Sequence, residues 1–166
     1  MSVVAEIIAT WRDPAGPVGR LLSAGPREDR SLVILIAATV LMFVARTPDL
    51  ARRAALDPTV PLEASLGITL FVMLFLLPLL AYALAFASHL AMKVLGRAGP
   101  AHGARVALFW AMLAIVPGLL LQGLAAGFIG PHSGAARLVG VGVFLLFLWF
   151  WGRGLMVAYP AGKEAK

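Results

Sequence analysis

Few side chains in this sequence have the chemistry needed for catalysis or metal binding. The histidines are His89, His102 and His132. The first two could meet at one end of a helical bundle, but no second pair of ligands has the spacing of a metal site. Cysteine is absent, which excludes thiolate metal sites and cysteine nucleophiles. No HExxH, GxSxG or Walker-type glycine loop occurs. We therefore expect no enzyme activity, no metal, no cofactor, and structural or interfacial histidines.

The acidic residues are predicted to lie outside the apolar segments. All eight fall in predicted loops, tails or segment ends, so no pair of carboxylates is placed for acid–base catalysis inside a membrane. Gln122 is the one strongly hydrogen-bonding side chain deep in an apolar segment. Because an isolated glutamine there more often joins helices than binds a substrate, we expect Gln122 to join helices.

The composition indicates the class of protein that must position these residues. Of 166 residues, 61% are hydrophobic and 13% are charged, whereas soluble domains average about 45–50% and about 25%. The mean hydropathy is +0.92. Because there is too little polar surface to coat a soluble core, we predict an all-α, polytopic integral membrane protein. The net charge of +6 is then expected to set topology and contact anionic lipid, and no nucleic-acid partner is expected.

Four transmembrane helices are predicted within a domain covering residues 31–160. Their approximate bounds are residues 28–46, 64–92, 105–130 and 135–158. An interfacial segment (residues 1–30) precedes this domain, a polar loop (residues 46–63) joins the first two spans, and a tail (residues 161–166) follows the last.

Proline residues predict breaks in two of these spans. Pro78 predicts a kink near the middle of the second span, and Pro117 predicts one in the third. Splitting the third span at Pro117 would give five spans, but each half would have only about 12–13 residues, too few to cross alone. One kinked helix is therefore favoured, with five spans as the alternative.

Small residues predict two helix-packing faces. Ala81, Ala85 and Ser88 recur at three- and four-residue spacing in the second span, which suits close contact between helices. Gly123 and Gly127 form a GxxxG pattern in the third span, next to Gln122. We predict that these six residues mediate helix packing.

Basic and aromatic residues predict the orientation. With four spans, ten Lys and Arg residues lie on the side of both termini and four on the other, which makes both termini cytoplasmic in a bacterial inner membrane. An apolar stripe in the first helix predicts that residues 1–24 lie flat on the cytoplasmic face as an amphipathic segment. The predicted interfacial anchors are Trp11, Trp110, Trp149, Trp151 and Arg153.

Three patterns resemble a known family of membrane proteins. They are LLSAGPREDR at 21–30, GARVALFW at 103–110 with Pro117 beyond it, and WFWGRGL at 149–155. Over about residues 8–156 the chain resembles the bacterial branch of the Yip family, the Ypt/Rab-interacting membrane proteins. The resemblance implies an all-helical, multi-span protein with a cytoplasmic N-terminus. Eukaryotic members usually have five spans and serve vesicle traffic with Rab-type GTPases, but their long N-terminal region is reduced here to residues 1–30. A GTPase partner is therefore not supported.

These observations predict a non-enzymatic inner-membrane protein. We expect an organising or accessory subunit that acts through helix packing and interfacial contacts. Its partners would be the lipid bilayer and other membrane proteins, or further copies of this chain. The alternative is a small transporter or channel subunit that uses the kinked second and third spans around Gln122.

Overall fold

The computed structural model describes residues 2–57 and 59–160, and within them the regular structure is entirely helical. Two short helices come first, α1 (Val3–Arg12) and α2 (Ala15–Ser23). The next are α3 (Glu28–Leu56), α4 (Leu62–Phe71), a π-helical turn (Val72–Leu76) and α5 (Leu77–Val94). The last are α6 (Ala101–Ala114), α7 (Val116–Ile129) and α8 (Gly134–Ala158). The tail predicted over residues 161–166 lies outside the described residues.

Among the described residues, three helical segments are long and apolar enough to cross a membrane: α3, the continuous segment Leu62–Val94, and α8. Helices α6 and α7 are bent by 42° at Ile115 and form a fourth candidate if they are one span. Each of them has 14 residues, or about 21 Å of helix against a hydrocarbon core of ~30 Å. The all-helical fold with three to four candidate spans agrees with the prediction, and helix length favours one bent span for α6 and α7.

Helix α3 runs parallel to the α6–α7 pair. At one end of the bundle, Glu28 of α3 lies 3.2 Å from the imidazole of His102 on α6. At the other end, Pro48 of α3 packs closely against Gly127 of α7. We refer to these as the Glu28 end and the Pro48 end.

Helices α8 and α5 run in the opposite direction and pack on other sides of α6. Gly154 of α8 lies against Ala107 of α6, and α8 also packs on α7. On α5, the ring of Tyr82 contacts that of Phe109 with centroids 5.0 Å apart. As a result, α6 is enclosed by its neighbours, and twelve of its 14 residues are buried.

Helix α3 is longer than the sequence predicts. A loop is predicted over residues 46–63, but the helix continues through Pro48 to Leu56. Pro48 has no N–H to donate to the carbonyl of Val44, and the hydroxyl of Thr47 donates to that carbonyl instead, at 2.8 Å. The loop prediction is wrong up to Leu56 because this side chain replaces the missing backbone hydrogen bond.

The break near Pro78 takes the form of a widened helical turn. The π-helical turn Val72–Leu76 directly precedes it, and the N–H of Leu77 bonds to the carbonyl of Val72, five residues back. A π-turn of this kind accommodates a residue that cannot donate to the ordinary ladder. The helix therefore remains continuous from Leu62 to Val94.

The two N-terminal helices fold back on each other and pack along α6 and α8. Within this N-terminal hairpin (α1 and α2), Arg20 and Glu6 form an ion pair at 2.5 Å. Val18 of α2 is buried in the main core. The hairpin therefore covers the sides of α6 and α8, and the position on the cytoplasmic face that the sequence indicates for residues 1–24 stays a prediction.

Trp110 is placed differently from its predicted role as an interfacial anchor. Its side chain is only 3% exposed, and its indole N–H donates to the hydroxyl of Thr10 at 2.9 Å. The N-terminal hairpin covers this ring, so Trp110 holds α1 to α6 within the protein.

Candidate functional site

A large cavity lies between α3, α5, α6, α7 and α8, toward the Pro48 end. Its volume is about 520 Å³, within the ~300–1,000 Å³ range typical of small-molecule sites. Most of its wall is apolar and comes from Met42, Leu77, Met112, Leu119, Phe144 and Phe147. The cavity can therefore accept a hydrocarbon group.

The irregular parts of the spans form much of this cavity. Met73, in the π-helical turn, and Leu77 line one side. Ile115, at the bend between α6 and α7, lines another side. The π-helical turn and the bend therefore both contribute residues to the cavity wall.

The cavity opens on the flank of the bundle between α5 and α8. Leu80 of α5 and Phe144 of α8 both line it, yet they are 55% and 59% exposed. Both helices pack on α6 rather than on each other. A molecule could therefore enter sideways, between two apolar helices.

One end of the cavity is polar. Asp49, Arg46, Arg53 and Gln122 line it there. The carboxylate of Asp49 is paired with Arg53 through Oδ2, at 2.9 Å from Nη2 and 3.1 Å from Nε. Its other oxygen, Oδ1, is buried and has no hydrogen-bond partner among the described residues.

Asp49 lies at the Pro48 end of the bundle, in a helix rather than in the predicted loop. It is within α3, and its side chain is only 6% exposed. Because α3 continues past Pro48, Asp49 lies against the neighbouring helices. A buried carboxylate oxygen without a donor is costly, so it marks this end of the cavity as a place where a ligand could donate.

Gln122 faces this cavity. An added Cβ on Gly140 would lie 2.6 Å from its amide nitrogen, so the glycine provides the space that the side chain occupies. In residues 2–57 and 59–160, no hydrogen bond to the Gln122 side-chain amide is found. The interhelical hydrogen bond predicted for Gln122 is therefore not observed, and the amide is free to meet a ligand.

The predicted small-residue faces lie at helix contacts. Ala81, Ala85 and Ser88 are the buried residues of α5. An added Cβ on Gly123 would collide with the backbone carbonyl of Ala45, and one on Gly127 would lie 2.6 Å from Pro48 Cβ. The GxxxG pattern therefore lets α7 approach the backbone of α3, which positions the polar end of the cavity.

The other predicted anchors lie on α1 and α8. Trp149 is exposed, with the guanidinium carbon of Arg153 5.7 Å from its ring centroid. Trp151 is half-buried and stacks on Phe147, and its indole nitrogen has no partner among the described residues. Trp11 is partly exposed and meets Phe150 edge-on, with centroids 5.7 Å apart.

A second polar cluster closes the Glu28 end. The phenol of Tyr159 donates to the carbonyl of Pro100 at 2.9 Å, and Nδ1 of His89 lies 2.6 Å from the same phenol oxygen. Because the phenol has one hydrogen, Nδ1 must be the donor to it. Burial raises the pKa of Tyr159 above its usual value of 10.0. Beside this cluster, Glu28 bonds to both His102 and Arg105.

The described residues contain no group of three His, Asp or Glu side chains that could hold a metal ion. No family model, curated protein or solved structure matches this chain. Its function is therefore argued from the geometry of the cavity.

Proposed function

We propose that this chain is a non-enzymatic membrane protein that binds a lipid-like amphiphile in the cavity. The supporting observation is the cavity's asymmetry, since its wall is apolar except at the end that contains Asp49, Arg46 and Gln122. An amphiphile has the same division into a hydrocarbon part and a polar group.

The lateral opening supports a ligand that arrives from the bilayer. In a membrane, the gap between Leu80 and Phe144 would face lipid chains. An empty apolar cavity loses the dispersion contacts that a filled one makes, so an adjacent hydrocarbon chain would be drawn in. This proposal develops the transporter-type alternative, because the second and third spans contribute Met73, Leu77 and Leu119 to the cavity wall.

The test is the lipid retained by the purified protein, measured by native mass spectrometry. Leu119→Trp would fill the apolar part of the cavity, while Leu121→Trp, on the exposed face of the same helix, is the matched control. We expect Leu119→Trp to lose bound lipid and the control to keep it, with both variants monodisperse on size exclusion. Equal lipid retention by all three proteins would contradict the proposal.

A second candidate function, an organising or accessory subunit that acts through helix packing, is favoured by α4. Neither α4 nor the π-helical turn has a buried residue, and Ile68, Phe71 and Phe75 are all exposed. Such a face suits contact with another membrane protein or with a second copy of this chain. Monomeric protein in mild detergent, with no co-purifying partner, would count against this role.

We propose a bacterial inner-membrane location with both termini cytoplasmic. The support is the excess of basic residues on the side of the termini. Reporter fusions after Arg97 should then read as cytoplasmic and fusions after Asp57 as periplasmic. The reverse pattern would overturn this orientation.

A further inference from the structure

We propose that the polar end of the cavity is a headgroup site for a phospholipid whose headgroup contains an N–H or O–H donor beyond its phosphate. This inference rests on the proposed function. It names the ligand class from three residues of α3: Arg46, Asp49 and Arg53. Ethanolamine and glycerol headgroups meet this description, whereas choline, with no such donor, does not.

The donor requirement comes from Asp49. Asp49 lines the cavity wall; its Oδ2 is paired with Arg53, while its Oδ1 is buried without a partner among the described residues. Native proteins rarely leave a buried polar atom unsatisfied. An ammonium or hydroxyl group beside Oδ1 would supply the missing hydrogen bond, and hydrogen bonds to charged groups are among the stronger ones.

The phosphate requirement comes from the two arginines. Arg46 and Arg53 lie three residues before and four residues after Asp49, so all three share one face of α3. Arg46 is exposed, lines the cavity and has no ion pair among the described residues. Two guanidinium groups flanking one carboxylate leave a net positive charge, and guanidinium is well suited to bind phosphate.

The positions of the polar and apolar walls fit one orientation of the lipid. The headgroup would lie between Arg46 and Asp49, and the chain would extend past Leu119 toward the opening beside Phe144. Gln122 also lines the cavity, and its amide N–H groups can donate to an ester carbonyl of the lipid. One molecule would thereby meet the charged end and the apolar wall together.

The test compares headgroups on the same acyl chains. Delipidated protein in detergent is titrated with phosphatidylethanolamine, phosphatidylglycerol and phosphatidylcholine, and binding is read by native mass spectrometry. We expect the first two to bind about tenfold more tightly than phosphatidylcholine, the scale of one charge-assisted hydrogen bond. Asp49→Asn should reduce this preference, because a neutral amide oxygen accepts a weaker hydrogen bond than a carboxylate does, and it should strengthen phosphatidylcholine binding, because it removes a negative charge beside the phosphate site. Glu63→Gln, an exposed acid in α4, is the control and should keep the preference.

A second variant tests the phosphate contact separately. Arg46→Gln should weaken binding of all three phospholipids by a similar factor, without altering their ranking. If the parent protein binds all three equally, or if Asp49→Asn keeps the preference, the headgroup inference is overturned while lipid binding in the cavity stands. If Leu119→Trp leaves binding of every lipid unchanged, the proposed function itself fails.

Discussion

The indole nitrogen of Trp11 donates a hydrogen bond to the carbonyl oxygen of Ala114, at 3.1 Å. Ala114 is the last residue of α6, where the chain bends into α7. Carbonyls at the end of a helix lack their usual intrahelical donors, and Pro117 follows within one turn. The N-terminal hairpin is therefore bonded to the bend that forms one wall of the cavity.

The first prediction concerns this bond. Trp11→Phe keeps an aromatic ring near Phe150 but removes the indole N–H that donates to Ala114. We expect the free energy of unfolding in detergent to fall by about 1 kcal/mol, and proteases to cleave the N-terminal hairpin faster. Trp149→Phe, at an exposed ring, is the matched control and should change neither measurement. Equal behaviour of the two variants would show that the Trp11 bond does not hold the hairpin.

The second prediction concerns the contact between α3 and α7. Gly123→Ala would place a methyl group against the backbone carbonyl of Ala45, so the two helices must separate. We expect a loss of about 1–3 kcal/mol in the free energy of unfolding. An added Cβ on Gly142 in α8 would meet nothing within 4 Å, so Gly142→Ala should be neutral or stabilising. Equal stability of both variants would contradict the close approach at Gly123.

The third prediction concerns pH. Burial raises the pKa of Tyr159, so the folded protein keeps this proton to a higher pH than the unfolded chain does. The resulting stabilisation is complete below the unfolded pKa of about 10 and is lost as the pH rises through the folded pKa. As the pH rises from about 9 to about 11.5, the free energy of unfolding of Tyr159→Phe should therefore fall less steeply than that of the parent protein. The three lysines titrate in both proteins, so their contribution to the pH dependence cancels in this comparison. Identical slopes of the free energy of unfolding against pH would contradict a raised pKa of Tyr159.

Much of the architecture could be predicted from local sequence. Long uncharged segments and composition were enough to predict an all-helical chain with about four apolar helices, since those features depend only on neighbouring residues. The break near Pro117 follows from the missing N–H of proline. The three- and four-residue spacing of Ala81, Ala85 and Ser88 matches the buried face of α5 because helical periodicity is also local.

The polar end of the cavity could not be predicted in this way. Proline usually ends a helix, so Pro48 indicates a helix end in the sequence. The Thr47 hydrogen bond that replaces the missing proline N–H is recognisable only once the helix is known. The burial of Asp49 depends on α7 lying against α3, which is a long-range contact. One usable signal was present: Arg46, Asp49 and Arg53 have the spacing of a single helical face.

The most direct test of the account is photo-crosslinking with a phospholipid that has a photoreactive group in mid-chain. The labelled peptides of the reconstituted protein would be mapped by mass spectrometry. We predict adducts at Met112, Leu119 and Phe147, which line the cavity, and their loss in Leu119→Trp. Adducts confined to the exposed residues Leu121 and Leu138, with none in the cavity, would contradict lipid binding inside the bundle.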